Sequence, residues 1–183
     1  MIEFTWQALI PQLFGLLGMI SLFCSYQQNR RELLIACKLS ADVMWVLHYL
    51  TLGATGGAIP NFVGIFRELI FIQQSKHKWA NSPVWPLLFI LINFTLAITT
   101  WKSPLSLLPI TASAFVTISL WAKKPKITRI IGAPVSVCFI IYDICVGSWI
   151  GVINESIAII SIISSFIRND MKKKTNERQR NLT

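Results

Sequence analysis

Between Trp45 and Leu69 the chain reads WVLHYLTLGATGGAIPNFVGIFREL, an apolar stretch that nevertheless carries His48, Asn61, Arg67 and Glu68. An imidazole relays protons or bonds to neighbours, an amide both donates and accepts, and a guanidinium stays charged. In hydrocarbon an unpartnered polar group costs several kcal/mol, so such residues turn inward and find partners. Trp45, His48, Tyr49, Asn61, Tyr142 and Asn154 are the candidate lining of a substrate cavity, because Asn and Tyr together suit a polyhydroxylated or amide-bearing small molecule. Asp42, Arg67 and Glu155 are the candidates for charge or proton coupling. Arg67 needs a carboxylate partner, with Asp42 favoured by depth and Glu155 and Glu68 as alternatives. Lys38 stands four residues before Asp42, a spacing that pairs them on one helix face. Glu155 is the leading proton-coupling group, since burial and an approaching ligand push a carboxyl's protonation in opposite directions. The plainer alternative is that all these groups only bond helix to helix, at about 0.6 to 2 kcal/mol per contact. No HExxH, GxSxG, paired-Asp or phosphate-loop motif is present, so the chain is not expected to be an enzyme, and no cofactor or metal is implied.

The elements that must hold these residues follow from composition. Of 183 residues 54% are apolar and 14% charged, and the apolar ones come in long blocks. A membrane helix needs about 20 mostly apolar residues, and seven stretches approach that length: 8–25, 33–52, 56–74, 85–101, 104–121, 130–147 and 150–167. Little chain is left for a soluble domain. The expected fold is therefore all-α, a polytopic membrane protein with seven transmembrane helices. Cys24, Cys37, Cys138 and Cys145 fall inside the spans without a CxxC pair or His cluster, which reads as small apolar filler. The opening MIEFTWQ lacks the basic residues of a signal peptide, so the first span is expected to be retained.

Charge sets the orientation. With the amino terminus outside, the inner loops and tail hold Arg30, Arg31, Lys76, Lys78, Lys123, Lys124, Lys126, Arg129, Arg168, Lys172, Lys173, Lys174, Arg178 and Arg180, against Lys102 outside. This obeys the positive-inside rule and places the carboxyl tail in the cytoplasm. Trp6, Trp79, Trp85, Trp101, Trp121 and Trp149 stand near span ends, where amphipathic rings settle. The net charge of +9 thus points to anionic lipid rather than to nucleic acid. The expected partners are the lipid bilayer, a small polar solute and, as an open alternative, a second copy of the chain in a homo-oligomer.

Spans one to three and five to seven run in the same sense and can form a parallel repeat joined by span four. A shift of 93 positions superimposes Pro11 on Pro104, Arg30 and Arg31 on Lys123 and Lys124, Tyr49 on Tyr142, and Asn61 on Asn154. At 1.5 Å rise per residue these Tyr and Asn residues lie roughly 4 to 8 Å from the outer ends of their spans, so they can share one layer. The organisation expected is a first three-helix bundle at 1–82, a linker helix at 83–103, a second bundle at 104–167 and a basic tail at 168–183. Pro11, Pro60, Pro104, Pro109 and Pro134 interrupt the spans and predict kinks.

WVLHYLTLGATGGAIPNFVGIFRELIF resembles the first-half signature of the YgjV-like bacterial inner-membrane protein family, through Trp45, His48, Gly53, Ala54, Asn61, Gly64, Arg67 and Phe71. IIYDICVGSWIGVINESIAIISIISSFIR resembles its closing segment through Tyr142, Val146, Gly147, Ser148, Gly151, Asn154, Glu155 and Arg168, while Asp143 and Trp149 depart from the pattern. The three-plus-one-plus-three plan is similar to that of SWEET, semiSWEET and PQ-loop carriers, although Gln27 and Gln28 stand where Pro-Gln is sought. The spacing of Trp45 and Asn61 resembles the Trp and Asn pairing that lines semiSWEET pockets. The family resemblance implies an inner-membrane protein and names no activity, while the SWEET-like plan implies a cavity; the leading expectation is a carrier of a small polar solute working by alternating access. The alternative is a non-transporting scaffold or regulatory protein whose polar residues only specify helix packing.

Overall fold

The computed structural model describes residues 6–27, 30–99, 103–122 and 125–180, with side chains described at 9–25, 30, 32–99, 103–122 and 130–164. Seven helices follow one another: α1 (Trp6–Gln27), α2 (Arg31–Thr51), α3 (Thr55–Phe71), α4 (Val84–Thr99), α5 (Leu107–Ala122), α6 (Pro125–Val146) and α7 (Trp149–Arg180). Short 3-10 turns occupy Ile72–Ser75, Trp79–Asn81 and Pro104–Ser106, and among the described residues there is no strand. Gln28, Trp101, Lys102, Lys123 and Lys124 lie outside the described residues, as do the side chains of Trp6, Gln27, Arg31, Lys126, Arg129 and the basic tail.

Each helix matches one predicted span, with differences at the ends that have local causes. Helix α6 begins five residues before its predicted start, at Pro125, whose missing N–H and fixed φ suit a first helical position. Helix α7 runs on to Arg180, because the stretch after Arg168 is rich in Lys, Glu, Gln and Arg and has no Pro or Gly to stop it. The basic segment expected as a tail is helical as far as Arg180, continuous with α7. Pro11, Pro60 and Pro134 lie inside α1, α3 and α6, which remain single helices through them. Among the described residues Glu32–Thr51 and Pro104–Ala122 are long and apolar enough to cross a membrane, while Leu9–Ser25, Val84–Thr99, Ile130–Val146 and Trp149–Ser164 are apolar but shorter.

Helix α2 lies between α1 and α3, and α6 lies between α5 and α7. The two halves meet along α3 against α5 and along α1 against α7, and α4 packs on α5 and α3. Exchanging the halves converts the first interface into the second, the relation expected of a parallel repeat. The α2–α3 and α6–α7 turns are built alike. Ala54 N–H donates to Tyr49 O at 2.8 Å and Ser148 N–H to Asp143 O at 2.8 Å; Gly53 donates to Leu50 O at 3.0 Å and Gly147 to Ile144 O at 3.4 Å. Gly53 and Gly147 have φ of +70° and +75°, where a side chain would cost roughly 1 to 2 kcal/mol. In these turns the halves superimpose at a shift of 94, the step from Gly53 to Gly147, not 93. Tyr49 therefore corresponds to Asp143, His48 to Tyr142, Gly57 to Gly151 and Asn61 to Glu155.

Polarity is distributed opposite to that of a water-soluble protein. Leu13, Leu17 and Ile20 on α1, Phe62, Phe66 and Leu69 on α3, Val137, Ile141 and Ile144 on α6, and Ile153, Ile157 and Ile160 on α7 form exposed apolar stripes at helical spacing. Asp42, His48, Arg67, Glu68, Asn93 and Asp143 are buried instead, each at most 3% exposed. A shell of hydrocarbon around the molecule explains both halves of this pattern.

Candidate functional site

Two buried polar clusters join the halves, one near the α2–α3 and α6–α7 turns and one deeper. In the first, α2 presents His48 to the α6–α7 turn and Tyr49 to α6, with Trp45 beside them against Gly18 of α1. His48 Nδ1 lies 2.6 Å from Pro11 O of α1, and because a carbonyl only accepts, Nδ1 carries the proton. Its Nε2 lies 2.7 Å from Ser148 Oγ across the interface. Tyr49 OH donates to Asp143 Oδ1 at 2.7 Å, and Tyr142 OH donates to Ala54 O at 3.3 Å. At the shift of 94 these contacts are related by the repeat: His48 reaches Ser148 as Tyr142 reaches Ala54, and Tyr49 meets its own counterpart.

Glycine makes this approach possible. A Cβ on Gly57 would stand 2.8 Å from both Tyr49 and Tyr142, and one on Gly151 would strike Asp143 Oδ2 and lie 2.5 Å from Ser148 Oγ. The rings then close the layer: the Trp45 and His48 centroids are 5.2 Å apart, edge to face, and those of Tyr49 and Tyr142 are 5.9 Å apart. The six candidate cavity residues divide. Trp45, His48, Tyr49 and Tyr142 come together here, whereas the Asn61 amide turns back to donate to Gly57 O at 2.8 Å and the Asn154 amide donates to Glu155 Oε1 at 2.8 Å. Asn61 and Asn154 are each bonded within their own helix.

The deeper cluster gathers two basic and two acidic side chains. Lys38 Nζ lies 2.9 Å from Asp42 Oδ1 and 3.3 Å from Glu68 Oε1; Arg67 Nη2 lies 3.1 Å from Glu68 Oε1 and 3.7 Å from Asp42 Oδ2. Arg67 Nη1 crosses to α5, donating to Thr117 Oγ1 at 3.0 Å and Ser113 Oγ at 3.3 Å. Ser113 Oγ also accepts from Asn93 Nδ2 of α4 at 3.3 Å. The Asp42 carboxyl reaches this position over Gly64, where a Cβ would collide with Oδ2. Asp42 and Arg67 are thus brought together, with Glu68 the nearer acid. Glu155 stands apart, between Asn154 and Ser136. Among the described residues no three His, Cys, Asp or Glu side chains gather as metal ligands do.

Sequence reasoning missed Asp143, Ser148, Ser113, Thr117 and Asn93 as members of these clusters. Ser148 and Asp143 had a signal: they are the repeat counterparts of Ala54 and Tyr49, visible once Gly53 is aligned with Gly147. Ser113 and Thr117, four apart on α5, form a one-faced polar pair in a helix that also carries Thr111 and Ser119.

A family model described as bacterial inner membrane protein, Imp-YgjV, matches residues 9–173. No curated protein and no solved structure matches the chain.

Proposed function

We propose a function from the premise that this chain belongs to the Imp-YgjV family of bacterial inner membrane proteins. Its seven helices cross the inner membrane with the amino terminus outside, and the two three-helix halves tilt against one another to carry a small polar solute. The observation that carries this reading is the composition of the interface between the halves. It consists of equivalent turns and a few cross-bonds, from His48 to Ser148, Tyr49 to Asp143 and Tyr142 to Ala54 near the turns and from Arg67 to Ser113 and Thr117 deeper, that a tilt can break and remake. The Trp45, His48, Tyr49 and Tyr142 layer is then the closed outer end of the path. Asn61, Asn154 and Glu155 lie one to two turns deeper on α3 and α7, where a solute with hydroxyl or amide groups would meet them. The SWEET-like plan belongs to this proposal.

The test is uptake of radiolabelled small polyols, sugars and amides into vesicles holding the purified chain. Saturable counterflow above that of protein-free vesicles is expected, and its reduction in Asn154→Leu. A second reading, a non-transporting scaffold, is favoured by one observation: the Asn61 and Asn154 amides are already satisfied within their own helices. Absence of counterflow across the whole solute panel, from protein that is folded and inserted, would establish that reading instead.

A further inference from the structure

Asp143 is a carboxyl group 1% exposed, and among the described residues no cation pairs with it. Tyr49 OH satisfies Oδ1, but Oδ2 is buried without a hydrogen-bond partner among those residues. Ser148 Oγ stands beside the carboxyl, both resting on Gly151. That hydroxyl has one hydrogen to give. With Nδ1–H of His48 committed to Pro11 O, a neutral imidazole presents Nε2 as an acceptor, and Ser148 must donate to it. Among the described residues nothing then remains to donate to Asp143 Oδ2, and a bare carboxylate oxygen in that position is strongly disfavoured.

Adding one proton resolves the shortage in two equivalent ways. Placed on Asp143 Oδ2, it donates to Ser148 Oγ, which donates to His48 Nε2. Placed on His48 Nε2, it donates to Ser148 Oγ, which turns its own hydrogen to the Asp143 carboxylate. We infer that His48, Ser148 and Asp143 form a proton-binding site that spans the two halves and holds one proton on a hydrogen-bonded chain from α2 through the α6–α7 turn to α6. The other titratable groups near it are Tyr49 on α2, Tyr142 on α6 and Glu155 on α7, while α1 contributes the Pro11 carbonyl and α3 the Ala54 carbonyl. Losing the proton leaves Ser148 one hydrogen for two acceptors, His48 Nε2 across the interface and Asp143 Oδ2 on its own half, so the cross-interface bond then competes with a bond to the carboxylate and proton occupancy is linked to the closure of the halves. The site stands whether or not the chain carries a solute. If it does, the proton is the coupling ion.

Proton release from the full chain in lipid nanodiscs, stepped from neutral to alkaline pH and counted with a pH indicator, tests this directly. The unmodified chain is expected to release one proton more than Asp143→Asn, whose amide reproduces the donor of the protonated acid. Ser148→Ala, which keeps both titrating groups but cuts the chain between them, should shift the proton affinity of the site by about tenfold. Equal counts for the unmodified chain and Asp143→Asn would overturn the proposal, as would an unchanged release profile in Ser148→Ala. Failure of Asp143→Asn to fold also counts against it, since the amide supplies the hydrogen bond that the proposal requires. Solute uptake is not part of the readout, so a chain that transports nothing still passes or fails.

Discussion

Arg67 shows at the scale of one residue how a charge survives burial. Its guanidinium divides its donors between two carboxylates on one side and the hydroxyls of Ser113 and Thr117 on the other, which a single ammonium group cannot do. Arg67→Leu leaves Lys38 to balance both acids and should cost about 3 to 5 kcal/mol in equilibrium unfolding in detergent. Combining it with Glu68→Gln should recover part of that loss, because the stranded charge goes with its partner. Equal stability of the single and double variants would contradict the pairing. The Asp42 and Arg67 pair was legible in the sequence, since depth along two helices brings them level. Ser113, Thr117 and Asn93 were not: hydroxyl and amide groups can bond to their own helix, as Thr117 does to Ser113 O at 2.8 Å, and so leave no mark on hydropathy.

Among the elements, the two tight turns carry most of the register. Gly53 and Gly147 have open space around them, so their requirement is conformational, and Gly53→Ala and Gly147→Ala should each lower stability by about 1 to 2 kcal/mol. Gly57→Ala has a different fault, a methyl group driven between two tyrosine rings, and should cost about 1 to 3 kcal/mol through overpacking. It should also loosen the Tyr49 and Tyr142 contact, which tyrosine fluorescence reports, whereas the turn variants should leave that signal unchanged. All seven helices could be read from hydropathy because each needs a long apolar run. The two turns are alike at a shift of 94, whereas Tyr over Tyr and Asn over Asn, the better match of letters, falls at 93; only the turn geometry sets Tyr49 against Asp143.

For the whole molecule, the exposed stripes on the outer faces of the helices dictate its solvent. Phe66 is 50% exposed on the outer face of α3, one residue from buried Arg67. Phe66→Lys would place a second cation one residue away but facing lipid, at a cost of about 2.5 to 3.5 kcal/mol if it lies near the membrane centre. Membrane-inserted yield should fall, while Lys76→Leu, in an exposed loop, should leave it unchanged. Membership of an inner-membrane family was legible in Gly53, Arg67, Gly147 and their neighbours. A function was not, because pairs such as Asn154 with Glu155 serve packing and binding alike. The meeting of Tyr49 with its own counterpart has a genealogical consequence. Two identical three-helix chains related by an exact dyad would bring like against like there, phenol to phenol or acid to acid. A phenol donating to a carboxylate requires two unlike copies, which fusion into one polypeptide permits and homodimerisation of a single unit forbids. At this contact the halves are therefore complementary rather than identical. Exchanging the letters, Tyr49→Asp with Asp143→Tyr, should retain more stability than Tyr49→Asp alone, which confronts two carboxylates; a double variant no more stable than that single one would show that the surrounding walls, and not the pair, remember which half is which.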